Sequence, residues 1–510
     1  MCGLMGFHLR AGRRMVDAAT IRSMSDAQLH RGPDDGGHVA IDSRTGRFES
    51  LPAEETMFRE AGDLFFGFRR LSIQDLSANG HQPMLNSDRD VVLMLNGEIY
   101  NAIDFRTDLE SRGCVFRGRS DTEVVLNLYL VFGLEGMLSR LNGMFAIAIY
   151  DARVGKLFLA RDRFGIKPLY LLDNDRLFAF SSELKSFGFL PGFRFELDES
   201  GLSEFVLFRH NREHTLLKNI RQLSPGHVLS YQPQSGRIEI SRFEIQKVIE
   251  SIDGPEAFEA CLADAVQSQL ISDVPLGCQL SGGVDSSLVT HFAARCEGAT
   301  LDTMSVVFSD DRVSEERYIE QVEATVGVVG HRFELSPDYY VQRLGAASWH
   351  LEQPISHPNT IGVMLLSERA RAFVTVLLSG EGADELLGGY CRFLELLQPW
   401  GRPFLRQLRG MRDRGLAELL AYRDPAWRSV VATRVSLPSE VRRVYPELNE
   451  WAAIDPRLDV YRATTGSVLE RQRRYEMATF LPDLLLRQDK MSMAAGIENR
   501  VPFLDNTLVD

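Results

Sequence analysis

The chain has 510 residues, a formal net charge of −13, 44% hydrophobic residues and 25% charged residues. Such a length predicts at least two domains, and this composition is sufficient for a full core. The negative charge argues against nonspecific binding to nucleic acid or to an anionic membrane. The six cysteines form no CxxC pair, and no apolar run has transmembrane length, so we expect a cytoplasmic protein with reduced thiols.

The N-terminus begins Met-Cys-Gly, and the small side chain of Cys2 permits removal of Met1. Cys2 would then carry a thiol beside a free α-amino group, whose ordinary pKa of about 7.7–8 suits a base at neutral pH. A nucleophile beside its own amine is equipped for acyl transfer. The alternative is an ordinary second residue without a chemical role.

Two polar motifs, one at Asn96 and Gly97 and one at residues 120–123, occur further along the chain. A predicted strand at 91–95 runs into Asn96 and Gly97, a pair that favours a tight turn. An amide side chain beside a flexible backbone N–H could form an oxyanion hole. Residues 120–123, Ser-Asp-Thr-Glu, precede a helical run and are typical of a helix N-terminus, so the structural alternative for Asp121 is a cap.

These motifs occur together with a further one, the charged turn RGPD. The chain carries Cys-Gly at 2–3, RGPD at 31–34, NGE at 96–98 and SDTE at 120–123. In this order they resemble the glutaminase domain of class II glutamine amidotransferases. The resemblance implies an Ntn-hydrolase-like αββα sandwich, which we place at residues 1–200.

The resemblance also assigns roles to particular residues. It implies that Cys2 attacks the carboxamide of glutamine and that Asn96 and Gly97 form the oxyanion hole. Arg70 would bind the α-carboxylate of glutamine and Asp121 its α-ammonium group, in keeping with their charges. The remaining residues implied at the glutamine site are Leu71, Ser72, Ile73, Gln74 and Glu98.

The rest of the chain changes character at about residue 255. Between 201 and 255, Pro-Gly turns separate short strands, and we interpret this stretch as a connecting segment. From 256 to 510, strand and helix patterns alternate, which predicts an α/β domain with a doubly wound parallel sheet.

A Ser/Gly-rich loop at 280–287, LSGGVDSS, joins an apolar strand to a helical run. The glycines, the hydroxyl groups and the helix N-terminus suit a phosphate, and Asp285 could hold Mg²⁺. The Walker A lysine is missing, and the loop resembles that of ATP-pyrophosphatases. The alternative is a glycine-rich turn with a capping aspartate. The predicted ATP-binding residues are Leu280, Ser281, Gly282, Gly283, Asp285, Ser286, Val306, Ser379 and Gly380.

A second glycine loop, SGEGADE at 379–385, follows a predicted strand at 373–378. Acidic residues at a strand end are costly without a ligand, so we predict that Asp384 shares Mg²⁺ with Asp285. Glu381 would orient or deprotonate attacking ammonia.

Two further stretches carry predictions. Lys490 is predicted to face the transferring phosphoryl group, and the alternative is an ion pair with Asp489. The stretch 349–358 is predicted to be irregular. Its two histidines lack the spacing of metal ligands, so we expect a loop that lines the acceptor pocket rather than a metal site.

SGGVDSS, SGEGADE and DKMSMA…ENRVPFLD behind a glutaminase together resemble the glutamine-hydrolysing asparagine synthetase family. The resemblance implies glutamine, aspartate and ATP as substrates, a β-aspartyl-AMP intermediate and an internal passage for ammonia. It leaves a homodimer open. Family members continue beyond PFLD, so we expect a C-terminally truncated synthetase domain. The alternatives are a related enzyme that amidates a sugar acid or a peptide, and a catalytically inert amidotransferase-like protein.

Overall fold

The structure is a computed structural model that describes residues 2–10, 18–52, 62–246, 254–297, 301–310, 312, 314–397, 424–436 and 438–510. It divides into two compact units. The larger unit comprises Met1–Arg194, Arg221–Glu381 and Leu485–Asp510, and the smaller unit comprises Phe195–Ile220 and Gly382–Leu484. No helix in the described ranges combines the length and the apolar character needed to cross a membrane.

The strands are β1 Gly3–Leu9, β2 Asp35–Asp42, β3 Arg47–Pro52, β4 Leu64–Arg70, β5 Met84–Leu85, β6 Val91–Ile99, β7 Gly143–Asp151, β8 Lys156–Arg161, β9 Tyr170–Asp173, β10 Leu177–Ser181, β11 Ile220–Gln222, β12 His227–Gln232, β13 Arg237–Arg242, β14 Leu276–Gln279, β15 Asp302–Val307, β16 Val329–Glu334, β17 Val376–Leu378 and β18 Glu498–Arg500.

The helices are α1 Ala18–Asp26, α2 Ala102–Ser111, α3 Asp121–Leu138, α4 Glu199–Phe208, α5 Pro255–Ser268, α6 Val284–Glu297, α7 Glu316–Val326, α8 Pro337–Leu351, α9 Thr360–Ala370, α10 Ala383–Leu387, α11 Cys391–Leu397, α12 Pro425–Ala432, α13 Pro438–Val441, α14 Glu450–Ala463, α15 Val468–Thr479, α16 Leu481–Met493 and α17 Asn506–Val509.

The N-terminal part of the larger unit is a sandwich of two antiparallel sheets. One sheet has the order β11-β9-β10-β1-β4-β2-β3 and the other the order β13-β12-β8-β7-β6-β5. Their inner faces share an apolar core that includes Phe66, Met94 and Phe178. The helix α1 covers the outside of the first sheet, and α2 and α3 cover the second. This layering confirms the predicted αββα sandwich.

The segment interpreted as a connector, 201–255, contains more than turns. Its strands β12 and β13 pair antiparallel with each other, and β12 pairs with β8 in the second sheet of the sandwich. The sandwich therefore extends at least to Arg242. The helix α4, from the same segment, belongs to the smaller unit.

The second part of the larger unit is a parallel sheet with the order β16-β15-β14-β17-β18. Both of its faces are covered. On β15, Met304 and Val306 pack into an apolar cluster with Leu366 of α9, whereas Val307 packs with Ile319 of α7 on the other face. The predicted doubly wound α/β sheet is confirmed.

Two predicted local structures are wrong. The strand β6 runs straight through Asn96 and Gly97, which lie opposite Ala146 and Phe145 of β7, so the Asn-Gly pair does not form a turn. Trp349 and His350 lie in the last turn of α8, so the stretch 349–358 is irregular only after Leu351. In both cases packing against neighbouring elements overrides the local turn signal.

The smaller unit is helical where it is described. The helices α4, α12, α14 and α15 share one apolar core. Arg457 is buried in that core, where its guanidinium donates to Glu204 and to the carbonyl of His210. A buried charge is stable only when it is paired in this way. The sequence interpretation did not separate this unit from the rest of 256–510.

Candidate active sites

Cys2 lies immediately before β1, inside the sandwich. Its backbone nitrogen donates to Asn96 Oδ1 at 2.9 Å, and its thiol points at the carbonyl of Leu71 at 3.9 Å. Only 6% of the residue is exposed, and this burial raises the pKa of the thiol above its ordinary value. The structure therefore brings three of the predicted glutaminase residues together.

Asn96 and Gly97 are held rigidly in the centre of β6. The amide of Asn96 also donates to Ser182 Oγ at 3.4 Å, and Ser182 accepts from the backbone of Leu4 at 3.2 Å. A Cβ atom at position 97 would lie 1.9 Å from the carbonyl oxygen of Met144. Position 97 therefore requires glycine because the backbone of β7 approaches it closely.

Arg70 ends β4 and is turned into the following loop, residues 71–77, which we call the glutamine loop. Its guanidinium donates to the carbonyls of Asp75 at 2.6 Å, Gln74 at 3.0 Å and Ser77 at 3.3 Å. A Cβ atom at Gly80 would lie 2.0 Å from that guanidinium. The arginine predicted to bind the α-carboxylate is thus fixed by the loop.

The other members of the predicted glutamine set lie around this loop. The amide of Gln74 donates to Glu98 Oε2 at 2.5 Å, and the backbone N–H of Ser72 donates to Asp34 Oδ2 at 2.8 Å. Ile73 is 1% exposed, and its carbonyl accepts from the backbone N–H of Asp273 at 2.9 Å.

Asp121 begins α3, and the predicted cap is confirmed for Ser120, whose side chain accepts from the N–H of Glu123. Asp121 has a separate task, because its Oδ2 accepts from the backbone N–H of Ile99 at 2.9 Å. Burial raises the pKa of Asp121 to about 6. The carboxylate therefore lies at the end of β6, three residues beyond Asn96 in the same strand.

A cavity of about 720 Å³ adjoins the glutamine loop. Its lining includes Arg70, Ser72 and Ser77 on the sandwich side, and Val274, Arg371 and Thr375 from the part that carries the parallel sheet. Residue 274 lies two residues before β14, and residue 375 directly precedes β17. The cavity therefore lies at the N-terminal edge of the parallel sheet.

The Ser/Gly-rich loop connects β14 to α6, as the sequence predicts. Leu280 is buried, and its N–H donates to the carbonyl of Met304 at 2.9 Å. The hydroxyl groups of Ser281 and Ser286 lie 3.0 Å apart, and Ser286 also donates to the carbonyl of Gly283 at 3.2 Å. The loop is thus closed on itself at the N-terminus of a helix, the arrangement that suits a phosphate.

The second glycine loop adjoins the first. A Cβ atom at Gly380 would lie 2.9 Å from the backbone nitrogen of Ser286 and 3.0 Å from Asp285, so only glycine allows this approach. Ser379 is held from the other side, where its hydroxyl donates to Asn499 Oδ1 at 3.0 Å. The structure therefore gathers most of the predicted ATP residues at the C-terminal edge of β14 and β17. Val306 lies near the C-terminal end of the neighbouring strand β15, where its side chain packs under α9, and a contact of its backbone with adenine stays a prediction.

Glu381 is positioned by an arginine that the sequence interpretation missed. Arg487 donates to Glu381 Oε1 at 3.0 Å and to Asn359 Oδ1 at 2.8 Å, and its side chain is 3% exposed. The signal available in the sequence was a cation directly after the apolar run 484–486. Arginine in a buried position is typically paired in this manner.

The predicted metal ligands lie in different units. Asp285 belongs to the larger unit, whereas Asp384 lies in the first turn of α10 in the smaller unit, where burial raises its pKa. A metal site shared by these two carboxylates stays a prediction. Within the described ranges, no group of three or more His, Cys, Asp and Glu side chains is arranged to hold a metal.

Lys490 occupies a position that the sequence did not suggest. Its ammonium lies 2.5 Å from Glu352 and 3.1 Å from Glu183, and its side chain is fully buried. The neighbouring Asp489 instead pairs with Arg31 at 2.8 Å and faces Lys167 at 3.6 Å. The described contacts of Lys490 therefore join α16 to Glu183 of the sandwich and to Glu352 at the end of α8, and its role toward a phosphoryl group stays a prediction.

Arg31 of the RGPD motif connects this buried network to Cys2. Its Nε donates to the carbonyl of Cys2 at 3.0 Å, and another nitrogen donates to Glu183 at 2.9 Å. The motif was visible in the sequence, but its partners Glu183 and Asp489 lie more than 150 residues away along the chain. No local pattern identifies such pairs.

Comparisons with known proteins divide the chain into two parts. The glutamine amidotransferase domain family matches residues 52–243, and the asparagine synthase family matches residues 257–510. Asparagine synthetase [glutamine-hydrolyzing] 1 of Bacillus subtilis (strain 168) is 32% identical over 535 residues, which cover 100% of this chain and 80% of that protein.

Two further relatives span similar shares. Asparagine synthetase [glutamine-hydrolyzing] 3 of the same organism is 30% identical and covers 100% of this chain and 80% of its own length. Amidase chyE of Penicillium rubens is 27% identical, with 100% of this chain and 82% of that protein covered. On the geometry and these matches, the chain belongs to the glutamine-hydrolysing asparagine synthetase family.

Proposed function

We propose that this protein is an ATP-dependent ligase that amidates aspartate to asparagine with ammonia released from glutamine. The observation that carries the proposal is the contact between the Cys2 nitrogen and Asn96, in one compact unit with two adjoining glycine loops. A nucleophile at an amide-lined strand suits the release of ammonia, and the two loops suit the activation of a carboxylate by ATP.

In the first reaction, the sulfur of Cys2 attacks the carboxamide carbon of glutamine. Removal of Met1 turns the nitrogen bound to Asn96 into an amine, which takes the thiol proton and passes it to the leaving ammonia. This base is needed because burial raises the pKa of the thiol. The amide of Asn96 and the N–H of Gly97 stabilise the oxyanion. Water then hydrolyses the thioester to glutamate.

In the second reaction, the β-carboxylate of aspartate attacks the α-phosphorus of ATP, which gives β-aspartyl-AMP and pyrophosphate. The loops at 281–287 and 379–381 bind the phosphates through backbone N–H groups and hydroxyls. Ammonia then displaces AMP, and Glu381, held by Arg487, orients it or takes its proton.

Magnesium is the metal that this chemistry implies. Carboxylate oxygens are ligands that Mg²⁺ accepts beside the phosphates of a nucleotide, and the bound ion would neutralise charge on those phosphates. Asp285, at the mouth of the first loop, fits such a donor set without a larger acidic cluster. We propose that Asp285 is one of its ligands.

We also propose that ammonia travels inside the protein between the two reactions. Free ammonia is almost wholly protonated at pH 7 and is then not nucleophilic, so a route without water keeps it reactive. The ends of this route would be Cys2 and Glu381.

The separation of the two reactions is tested with Cys2→Ala. We expect this variant to lose glutamine-dependent amidation and to keep ammonia-dependent amidation near the wild-type rate. The control is Cys114→Ala, a half-buried cysteine that is not among the predicted site residues, which should keep both activities. Equal loss of both activities in Cys2→Ala would contradict the proposal.

The acceptor is tested by pyrophosphate release with a panel of carboxylates. Release with aspartate alone supports asparagine synthesis. Release with a sugar acid or a peptide carboxylate would instead identify a related amidotransferase, and no release with any acid would favour the inert protein.

A further inference from the structure

The glutamine loop is tied to the segment that begins the parallel sheet. The backbone N–H of Asp273 donates to the carbonyl of Ile73 at 2.9 Å, and the carboxylate of Asp273 accepts from the backbone N–H of Asp75 at 2.8 Å. Asp273 lies between α5 and β14, three residues before that strand begins. Asp273 therefore binds the glutamine loop through both a hydrogen-bond donor and a hydrogen-bond acceptor.

Asp75, the loop residue whose N–H donates to Asp273, has an unfavourable backbone conformation. Its φ angle is +55°, in the left-handed region that side chains disfavour. Its carboxylate accepts from the hydroxyl of Ser77 at 2.5 Å and from the N–H of Arg119 at 2.6 Å. Such a conformation persists only when surrounding contacts determine it, and the contact on its N–H comes from Asp273.

The carbonyl of Asp75 passes this constraint on to Arg70. It accepts from the Arg70 guanidinium at 2.6 Å, the shortest of the three carbonyl contacts of that arginine. A chain of two hydrogen bonds therefore runs from Asp273 through Asp75 to Arg70. Moving Asp75 rotates its peptide groups and displaces the guanidinium.

The glutamine loop and the N-terminal edge of the parallel sheet line the same cavity. The 720 Å³ cavity is lined by Ser72 and Ser77 of the loop and by Val274, the residue after Asp273. The next residue, Pro275, accepts from the N–H of Thr375 at 2.9 Å, which fixes the segment to the start of β17. The segment that holds the loop is therefore anchored to two central strands.

We propose that Asp273 is a positioning residue for glutamine: it holds Asp75 in its left-handed conformation and thereby aims Arg70 at the glutamine α-carboxylate. The inference rests on the proposed function, because it needs Arg70 to bind glutamine. It assigns to a residue of the synthetase half a direct influence on the affinity of the glutaminase half.

The test compares Asp273→Ala with Asp273→Asn, whose amide oxygen can still accept from Asp75. The control is Asp264→Ala, the same change at an exposed aspartate of the preceding helix α5. Ammonia release is measured against glutamine concentration, and ammonia-dependent synthesis is measured in parallel. We expect Asp273→Ala to raise KM for glutamine roughly tenfold, since a hydrogen bond to a charged acceptor is lost. Asp273→Asn should recover most of the loss, and ammonia-dependent synthesis should not change.

Three outcomes overturn the inference: a KM in Asp273→Ala within twofold of the control, an Asp273→Asn variant as impaired as Asp273→Ala, or an equal loss of ammonia-dependent synthesis. Failure of the proposed function has a different signature. The wild-type protein would then release no ammonia from glutamine, or Cys2→Ala would release it as fast as the wild type.

Discussion

The ammonium of Lys490 lies 3.1 Å from a carboxylate oxygen of Glu183, and both side chains are almost completely excluded from solvent. Glu183 also accepts from Arg31, which in turn holds the carbonyl of Cys2. Burial alone would raise the pKa of Glu183, but the charges of Lys490 and Lys185 hold it well below its ordinary range. Lys490 is therefore connected through Glu183 and Arg31 to the backbone of Cys2.

This placement predicts a stability effect for Lys490→Gln. Removing the ammonium takes one of the compensating cations from the buried carboxylates of Glu183 and Glu352, which costs about 3–5 kcal/mol in the free energy of unfolding. Urea denaturation measures it. The same change at Lys218, which is 52% exposed and 3.4 Å from Glu196, should cost at most about 1 kcal/mol. A Lys490→Gln protein of unchanged stability that releases no pyrophosphate would contradict this prediction and would support the predicted role at the phosphoryl group.

The close approach of β6 and β7 predicts the effect of Gly97→Ala. The added Cβ would lie 1.9 Å from the carbonyl of Met144, so the strands must separate beside the proposed oxyanion hole. We expect a loss of about 1–3 kcal/mol in the free energy of unfolding and a severe loss of glutamine hydrolysis. Gly345→Ala, in the exposed part of α8 with open space around it, is the control and should stabilise slightly. Normal glutaminase activity in Gly97→Ala would show that β6 tolerates the change.

The raised pKa of Asp121 predicts a pH dependence for glutamine binding. Above about 6 the carboxylate is ionised and can pair with the α-ammonium group of glutamine, whereas below it the acid is neutral. One pH unit below the pKa, about one tenth of the groups stay ionised, so KM for glutamine should rise roughly tenfold between pH 7.5 and 5. The KM of Asp121→Asn should be high throughout and nearly independent of pH. A wild-type KM that is constant over this range would exclude Asp121 as the ammonium partner.

The contact between Arg487 and Glu381 predicts a selective defect in Arg487→Gln. Without the guanidinium, Glu381 is no longer fixed, and ammonia-dependent synthesis should fall about 10²-fold while glutamine hydrolysis persists. Hydrolysis is the internal control for folding. Substituting Arg369, a basic residue in the last turn of α9, should leave both activities unchanged. A parallel fall of both activities would mean that Arg487 serves the fold rather than the site.

The sequence was sufficient for features that local chemistry determines. The cap at Ser120, the loop between β14 and α6 and the alternation of strands and helices all depend on neighbours along the chain. The motifs also identified Cys2 and Asn96, which the structure places in contact.

Other features depend on partners that are distant along the chain. The strand β18 has the sequence Glu-Asn-Arg, and its buried charges make sense only because Arg500 pairs with Glu498 and donates to the carbonyls of Gln269 and Ile271. The continuation of β6 through Asn96 depends on β7 in the same way. Local propensity cannot reveal such pairs, which is why the role of Arg31 toward Glu183 was missed.

The central claim is that one chain releases ammonia at Cys2 and consumes it at an ATP-activated acid. The most direct measurement supplies the wild-type protein with ATP, Mg²⁺, aspartate and glutamine labelled with ¹⁵N in its amide, in the presence of unlabelled ammonium. We predict asparagine that carries the ¹⁵N label, formed together with AMP and pyrophosphate. Labelled ammonium in solution together with unlabelled asparagine would contradict the account.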